Sequence, residues 1–259
     1  MSSLSHVIQQ FDYTREFTAP PEWLQGRTVY GGLSAALALQ SILQMPNQTL
    51  PPLKSALISF VGPVKGPMRF KPQVLRRGKS STFISVDCLV GSDTVLRAGF
   101  LFAEPRTSQI RQSLYEFPKV SDPTSYQSMI PIASAPALSV NFELKPVTST
   151  LPLSGATHPE LLAWLRHGDA ANVAPTVSLI ALADALPPAV LSTITDMVPI
   201  SSMTWSIDFS SDSNNASEWH LLRSTSQHSV HGYSYQTMEI WDENKNLVAS
   251  GSQTVAVFG

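Results

Sequence analysis

One pattern in this chain recurs at a fixed distance. Val95-Leu96-Arg97-Ala98-Gly99 is matched by Leu247-Val248-Ala249-Ser250-Gly251, so that Gly99 and Gly251 stand 152 positions apart. The alternating stretch 83–90 is matched by 235–242 at the same distance. Ahead of each copy lies an apolar segment of helical character. Positions 31–44, GGLSAALALQSILQ, are dominated by the strong helix formers Ala and Leu, open on two glycines and end at Met45-Pro46-Asn47. Positions 174–186, APTVSLIALADAL, open with Pro175 near the first turn, where a missing N–H costs nothing. Strand patterns fill the rest. The first half offers 53–61, 68–77, 80–90 and 94–103, with turns at Gly78-Lys79 and Gly91-Ser92-Asp93. Pro72 marks 68–77 as an edge strand or the site of a bulge. The second half offers 138–146, 161–167, 202–209, 219–225, 230–241 and 247–257, with 242–246 as a hairpin loop. The pattern predicts one apolar helix and an antiparallel meander, repeated. Because one helix covers only one face of a sheet, and each meander leaves open edges, two copies that join their sheets solve a shared problem.

The chain has 259 residues, which suits two domains of about 130 each. The expected division is a first half over 1–104, a connection over 105–136 and a second half over 137–259. The connection is rich in Pro, Ser and Gln, shows no sustained period and has room for one short helix. Its Arg106 and Arg111 read as solvated surface. With 43% hydrophobic and 14% charged residues, the composition is the reverse of a disordered chain. The net charge of −2, with no basic block, excludes a nucleic-acid binder of the usual kind. Cys88 is the single cysteine, which excludes a disulfide framework and fits a reducing compartment. No stretch reaches the roughly 18 apolar residues of a membrane span, and neither end carries a recognisable targeting signal. The expectation is a soluble, cytoplasmic protein without nucleic-acid or membrane partners.

Common catalytic motifs are missing. There is no G-x-S-x-G elbow, no phosphate-binding glycine loop and no metal-ligand spacing. His228 and His231 are three apart, so on a strand they would point to opposite faces and make a poor metal pair. His158, His167 and His220 read as core or surface residues, and Cys88 as a buried, apolar-like side chain. No metal and no cofactor is expected.

From Arg27 the chain resembles the acyl-CoA thioesterase II family, the double-hotdog thioesterases. The element R-x-V-F/Y-G-G that opens the family's first central helix is present as Arg27-Thr28-Val29-Tyr30-Gly31-Gly32. Similarity continues through Ser59-Phe60-Val61-Gly62-Pro63 and Val74-Leu75-Arg76-Arg77-Gly78-Lys79-Ser80. In the second half it covers Leu144-Lys145-Pro146-Val147, Ala183-Asp184-Ala185-Leu186, 202–209, Glu218-Trp219-His220-Leu221-Leu222 and Leu247-Val248-Ala249-Ser250-Gly251-Ser252-Gln253. The region 104–136 is unmatched. The resemblance implies an α+β double hotdog, two long antiparallel sheets each wrapped around a central helix.

It also implies hydrolysis of an acyl thioester by an activated water. The thioester would be carried by coenzyme A or by the phosphopantetheine arm of a carrier protein. In the family an Asp on the second central helix, a Thr or Ser on the next strand and a Gln on the last strand hold that water. The matching residues are Asp184, Ser202 and Gln253, with Ser201 or Thr204 in place of Ser202 if the register slips. A carboxylate inside SLIALADAL is expensive to bury without partners, which favours a functional reading of Asp184. At the position equivalent to Gln253 in the first half, 152 residues earlier, stands Leu101, and the first helix carries no acid, so one site per chain is expected. Tyr30, Gly31 and Gly32 are candidate substrate-binding residues, because N–H groups at a helix start can face a thioester oxygen or a phosphate. Two other readings stay open: a non-catalytic acyl- or polyketide-binding protein of the same fold, and a hotdog hydratase or dehydratase, whose Asp-x-Asn-x-x-His element is absent. A monomer and a homo-oligomer are both compatible with the sequence.

Overall fold

In the computed structural model, residues 2–47, 49–131, 135–210 and 218–258 are described. The chain opens with α1 (Leu4–Gln10), whose start is capped by the Ser3 hydroxyl accepting from the His6 N–H at 3.2 Å. Two short strands, β1 (Leu24–Gln25) and β2 (Thr28–Val29), pair and lead into α2 (Gly31–Leu43). The first meander is β3 (Leu53–Phe60), β4 (Met68–Arg77), β5 (Ser81–Val90) and β6 (Asp93–Ala103). After the connection come β7 (Phe142–Pro146), β8 (Glu160–His167) and α3 (Pro175–Ala183). The second meander is β9 (Ile200–Phe209), β10 (His220–Val230), β11 (Tyr233–Asp242) and β12 (Leu247–Val257).

Ten strands form one antiparallel sheet in the order β4-β5-β6-β3-β9-β12-β11-β10-β8-β7. The order of the first meander is mirrored by the second about the β3–β9 seam, where Ala56 faces Ile207 and Ile58 faces Trp205. Starts of matching strands lie 152 residues apart for β4 and β10, and again for β5 and β11. The molecule is the expected double hotdog, with the two sheets joined edge to edge. β4, which holds Pro72, is an outermost strand, as that proline led one to expect; its register slips farther along, between Val74 and Arg76, while Pro72 stays in register opposite Val86.

Both central helices are apolar all round, as elements enclosed on every side must be. Ten residues of α2 are buried, among them Leu33, Leu37, Leu39 and Ile42, and α3 buries Val177, Leu179, Ile180 and Leu182. They pack against each other and against the inward face of the sheet, which alternates Ala56 and Ile58 on β3, Ile84 and Val86 on β5, Trp205 and Ile207 on β9, Met238 and Ile240 on β11.

The outward face of the second half carries its own apolar layer: Leu162, Trp164, Trp219, Leu221 and Trp241. The connection covers it, laying Phe117, Val120 and Tyr126 across these side chains. Polar links fix the cover, from Trp164 Nε1–H to the Ser121 carbonyl at 3.1 Å and from Lys145 Nζ to the Pro123 carbonyl at 3.0 Å. The connection thus contributes to the second half's core from Phe117 onward, and among its described residues the helical turn is Pro123–Ser125. Residues 132–134 within it lie outside the described residues.

Several element boundaries differ from the sequence reading, among them those of the strands expected over 219–225 and 230–241, which run 220–230 and 233–242. The stretch 138–146 splits into a 3-10 turn, Ala137–Asn141, followed by β7. The second central helix stops at Ala183 rather than 186, because Pro187 and Pro188 bias the residues before them away from helix. His231 sits not on a strand but in the β10–β11 turn at φ 51.

Candidate active site

Asp184 does not lie inside α3, as the apolar run around it suggests. It is the residue that ends the helix, with φ −92 and ψ 6. That position turns its carboxyl group away from α3 and toward the first turn of α2 in the other half. There the Gly32 N–H donates to the carboxylate. A helix leaves its first N–H groups without partners, and Tyr30, at the cap position of α2, supplies no side-chain bond. An acid from the second half therefore caps the central helix of the first.

The glycines at this junction make the approach possible. A β-carbon on Gly31 would stand 2.8 Å from Asp184 Oδ2 and 3.1 Å from the Phe60 ring. One on Gly32 would stand 2.5 Å from the Tyr30 hydroxyl. Tyr30 is buried, stacks on Trp23 at 6.3 Å and donates its hydroxyl to the Ala181 carbonyl at 2.8 Å. The RTVYGG element thus stitches the start of α2 to the end of α3.

Gln253 on β12 completes the contact, its Nε2–H donating to Asp184 Oδ1 at 2.8 Å. Burial pushes the Asp184 carboxyl up to about 6, while the hydrogen bonds from Gln253 and Gly32 pull the other way. The Tyr30 phenol is raised by its own burial and by the neighbouring Asp184 charge.

A further residue, passed over in the sequence, belongs to this array. Gln236 on β11 pairs directly with Gln253 and donates its Nε2–H to Gln253 Oε1 at 2.9 Å. Its own Oε1 accepts from the Ala189 main-chain N–H at 3.0 Å. Both glutamines are 2% exposed. The available signal was a polar residue at an inward position of the alternating strand YSYQTMEIW. A small cavity adjoins it, lined by Ala183, Leu186, Leu222, Met238 and Ile240 and by Ser224, whose buried hydroxyl has no partner among the described residues.

The three hydroxyl candidates separate by face. Thr204 pairs with Thr254 on the outward side, opposite in sense to Gln253 and Trp205, which face inward. A register shift between Thr254 and Val255 then brings Ser202 opposite Val255, which is fully buried, so Ser202 shares the inward face with Gln253. Ser201 is exposed and turns its hydroxyl to the Ser202 carbonyl at 3.4 Å. Among the described residues no hydrogen bond joins the Ser202 hydroxyl to Asp184 or Gln253.

Among the described residues the first half has no equivalent array, though the counterpart of Gln253 is not Leu101. Leu101 pairs with Ser55 and Phe83 on the outward face, while the inward position beside Ile84 is taken by Phe100. Ile84 and Phe100 thus stand where Gln236 and Gln253 stand in the second half. At the end of α2, in the place of Asp184, Gln44 spends its amide on the Tyr13 N–H and the Phe11 carbonyl. The histidines are not part of the array. His167 and His220 are half-buried and held down near 4, chiefly by desolvation of the ring. No group of three or more metal-binding side chains occurs among the described residues. Cys88 is buried and its thiol is pushed up to about 12 by burial, which makes it inert. No helix among the described residues is long and apolar enough to cross a membrane.

This architecture recurs in solved structures. A hot dog fold protein of Alicyclobacillus acidocaldarius superposes with a TM-score of 0.83 at 20% identity, covering 96% of this chain and 97% of its own. An acyl-CoA thioesterase II of Mycobacterium marinum gives 0.72 at 16% identity over 95% and 97% of the two chains. The tesB protein of Mycobacterium avium subsp. paratuberculosis gives 0.74 at 17% identity over 99% and 100%. No curated protein matches. At these identities the structures speak for the fold. The sequence itself matches the model of the acyl-CoA thioesterase N-terminal domain over residues 19–103 and that of the C-terminal domain over 116–257. With both domains present in tandem over most of its length, the chain belongs to the acyl-CoA thioesterase family and is an enzyme that hydrolyses acyl thioesters.

Proposed function

We propose that Asp184 is the general base of this hydrolysis and that Gln253 and Ser202 position the attacking water. The observation that carries the reading is the paired carboxylate: one half-buried acid, held by the Gln253 amide at 2.8 Å and by the Gly32 N–H, at the amino end of a helix from the other half. The raised carboxyl, near 6, is ionised at neutral pH yet basic enough to accept a proton. Gln253 spends one of its two amide hydrogens on Asp184, leaving the other to donate to the water oxygen. The Ser202 hydroxyl, on the same inward face, completes the hold.

In the reaction a water proton passes to Asp184 as the oxygen forms a bond to the thioester carbon. N–H groups of the first turn of α2 stabilise the developing oxyanion. Collapse of the tetrahedral intermediate breaks the carbon–sulfur bond, and the proton on Asp184 leaves with the thiolate. The products are a carboxylic acid and a free thiol. A thiolate is a good leaving group, so one carboxylate and neutral hydrogen bonds suffice.

The family supports coenzyme A as the handle, and a carrier-bound pantetheine arm presents the same thioester. The single array at the junction supports one site per chain, with the first half, over 1–104, supplying the helix end and the second, over 137–259, the acid and both glutamines. The joined sheet supports a monomer as the smallest active unit, and one buried thiol fits the cytoplasm. A panel of acyl-CoA and acyl-pantetheine substrates, read by thiol release with wild type and Asp184→Asn, tests the reading. Turnover by wild type that falls about 10²-fold or more in the variant supports it. Unchanged turnover in Asp184→Asn refutes the base, and wild type that binds acyl-CoA without releasing thiol points instead to an acyl-binding protein.

A further inference from the structure

An amide side chain can face a carboxylate with its N–H or with its carbonyl oxygen, and only the first is attractive. The space that Gln253 fills admits either end, and once Asp184 takes up its proton, near 6, its O–H can face the amide oxygen as well. The choice is made two bonds away. The Ala189 N–H is part of the main chain and cannot exchange its hydrogen for an acceptor. It therefore fixes Oε1 of Gln236 on its own side, at 3.0 Å. The Nε2 of Gln236 must then face Gln253, and it meets Oε1 there at 2.9 Å. That leaves the Nε2 of Gln253 toward Asp184 Oδ1, at 2.8 Å. Reversing either amide would set two acceptors or two donors against each other in a site where both glutamines are 2% exposed. Unpaired polar groups cost most under that degree of burial.

We propose that Gln236 is a positioning residue for thioester hydrolysis, fixing the amide of Gln253 so that an N–H, not an oxygen, faces the Asp184 carboxylate. The inference rests on the reading of Asp184 as the base. The array closes on itself: Ala189 lies five residues beyond Asp184, so the segment that ends α3 supplies both the acid and the N–H that sets its partner's polarity. Gln236 itself touches neither the carboxylate nor the water. Besides Asp184, the titratable groups nearest the array are the Tyr30 phenol and the Arg223–Glu239 pair. That pair lies on the opposite face of β10 and β11 and is closed upon itself at 2.6 Å.

Two near-isosteric variants test this, with kcat and KM measured from low to high pH on acyl-CoA. Gln236→Met keeps the volume and removes both hydrogen bonds. The expected result is a loss of at least about tenfold in kcat with KM within a factor of about two, and an acidic limb displaced to higher pH, since the charged base loses a fixed donor. Gln236→Glu keeps both bonds while protonated. Once ionised it presents only acceptors to Gln253, which then turns its oxygen to Asp184. Its activity is expected to stand above that of Gln236→Met at low pH and to fall as the pH rises, a limb that wild type lacks. If kcat and the pH profile of both variants superpose on wild type, Gln236 is structural and the proposal is overturned. Asp184→Asn, assayed alongside, separates the two claims. Its inactivity together with unaltered Gln236 variants refutes the positioning role alone, and its full activity refutes the base.

Discussion

The cost of holding Asp184 ready is written in its protonation. Its carboxyl is raised from 3.8 to about 6, first by burial and against two hydrogen bonds. A carboxyl that binds its proton more tightly folded than unfolded stabilises the fold below pH 4 and loses that contribution as pH rises through 6. At neutral pH the two-unit gap corresponds to about 3 kcal/mol of stability forgone. Two outcomes follow for the same side chain. Hydrolysis in wild type is expected to fall as pH drops through about 6, since the proposed base takes up its proton there, and a profile flat from pH 5 to 8 would contradict this. Asp184→Asn, inactive, is expected to be the more stable protein at pH 8, with an advantage over wild type that shrinks toward pH 4. Thermal midpoints measured across that range check the sign. Gly31 bears on the same carboxylate by its lack of a side chain. In Gly31→Ala the new methyl would press on Oδ2 from 2.8 Å and on Phe60 from 3.1 Å. The acid must move, and a displacement of that order costs about tenfold to 100-fold in turnover. Thiol release by purified, folded Gly31→Ala measures it, and wild-type turnover would show that Oδ2 is not held there.

Among the elements, the helices and meanders were legible because their periods are strong: α2 is found within one residue of its expected end, and the repeated spacing of 152 reappears in the strand starts. What the sequence left ambiguous was face. The two Gly-terminated motifs look equivalent, yet Gly99 pairs with Leu57 on the outward side and Gly251 with Ile207 on the inward side. Both halves shift register at matching places, Cys88/Leu89 and Ile240/Trp241, and what separates them is the hairpin turn, two residues between Val90 and Asp93 but three between Asp242 and Asn246. A slip of one residue flips every side chain that follows, so an alignment without gaps assigned Leu101 where Phe100 belongs. The hydroxyl of β9 was undecidable for the same reason, as the shift at Thr254/Val255 decides which serine turns inward. Asp184 and Gln253 were legible because polar side chains are rare in apolar settings. Gln236 was not, because its importance lies in its partners, and nothing in YSYQTMEIW names them. The β9 irregularity makes its own prediction. Ser202→Thr keeps the hydroxyl and is expected to retain activity, while Ser202→Ala is expected to lose less than Asp184→Asn. A larger loss at Thr204 or Ser201, each replaced by Ala, would show that the wrong hydroxyl was chosen.

At the scale of the whole molecule, the two halves are held by far more than the segment that links them. β3 and β9 pair through five residues each side, α2 lies against α3, the Tyr30 hydroxyl bonds the Ala181 carbonyl, and Asp184 caps the other half's helix. The amino terminus adds another tie, with the Ser3 hydroxyl on Asp169 Oδ2 at 2.7 Å and the Ser5 hydroxyl on the Ala171 carbonyl at 2.7 Å. The connection divides into two parts of different character. Residues 104–116 are exposed throughout, whereas Phe117, Val120 and Tyr126 are anchored on the outward aromatic layer. That anchoring escaped the sequence reading because three apolar residues at irregular spacing among prolines and serines carry no period. A cut within 104–116 therefore severs the chain without touching a buried contact, and Arg106 and Arg111 offer trypsin two sites there. Protein nicked in that stretch is expected to migrate as one particle in gel filtration and to keep its thiol-releasing activity, because the array at Asp184 depends on the seam and not on the link. Dissociation into halves, or loss of activity on nicking alone, would mean that the connection holds the site together and that the seam is weaker than its hydrogen bonds and buried side chains imply.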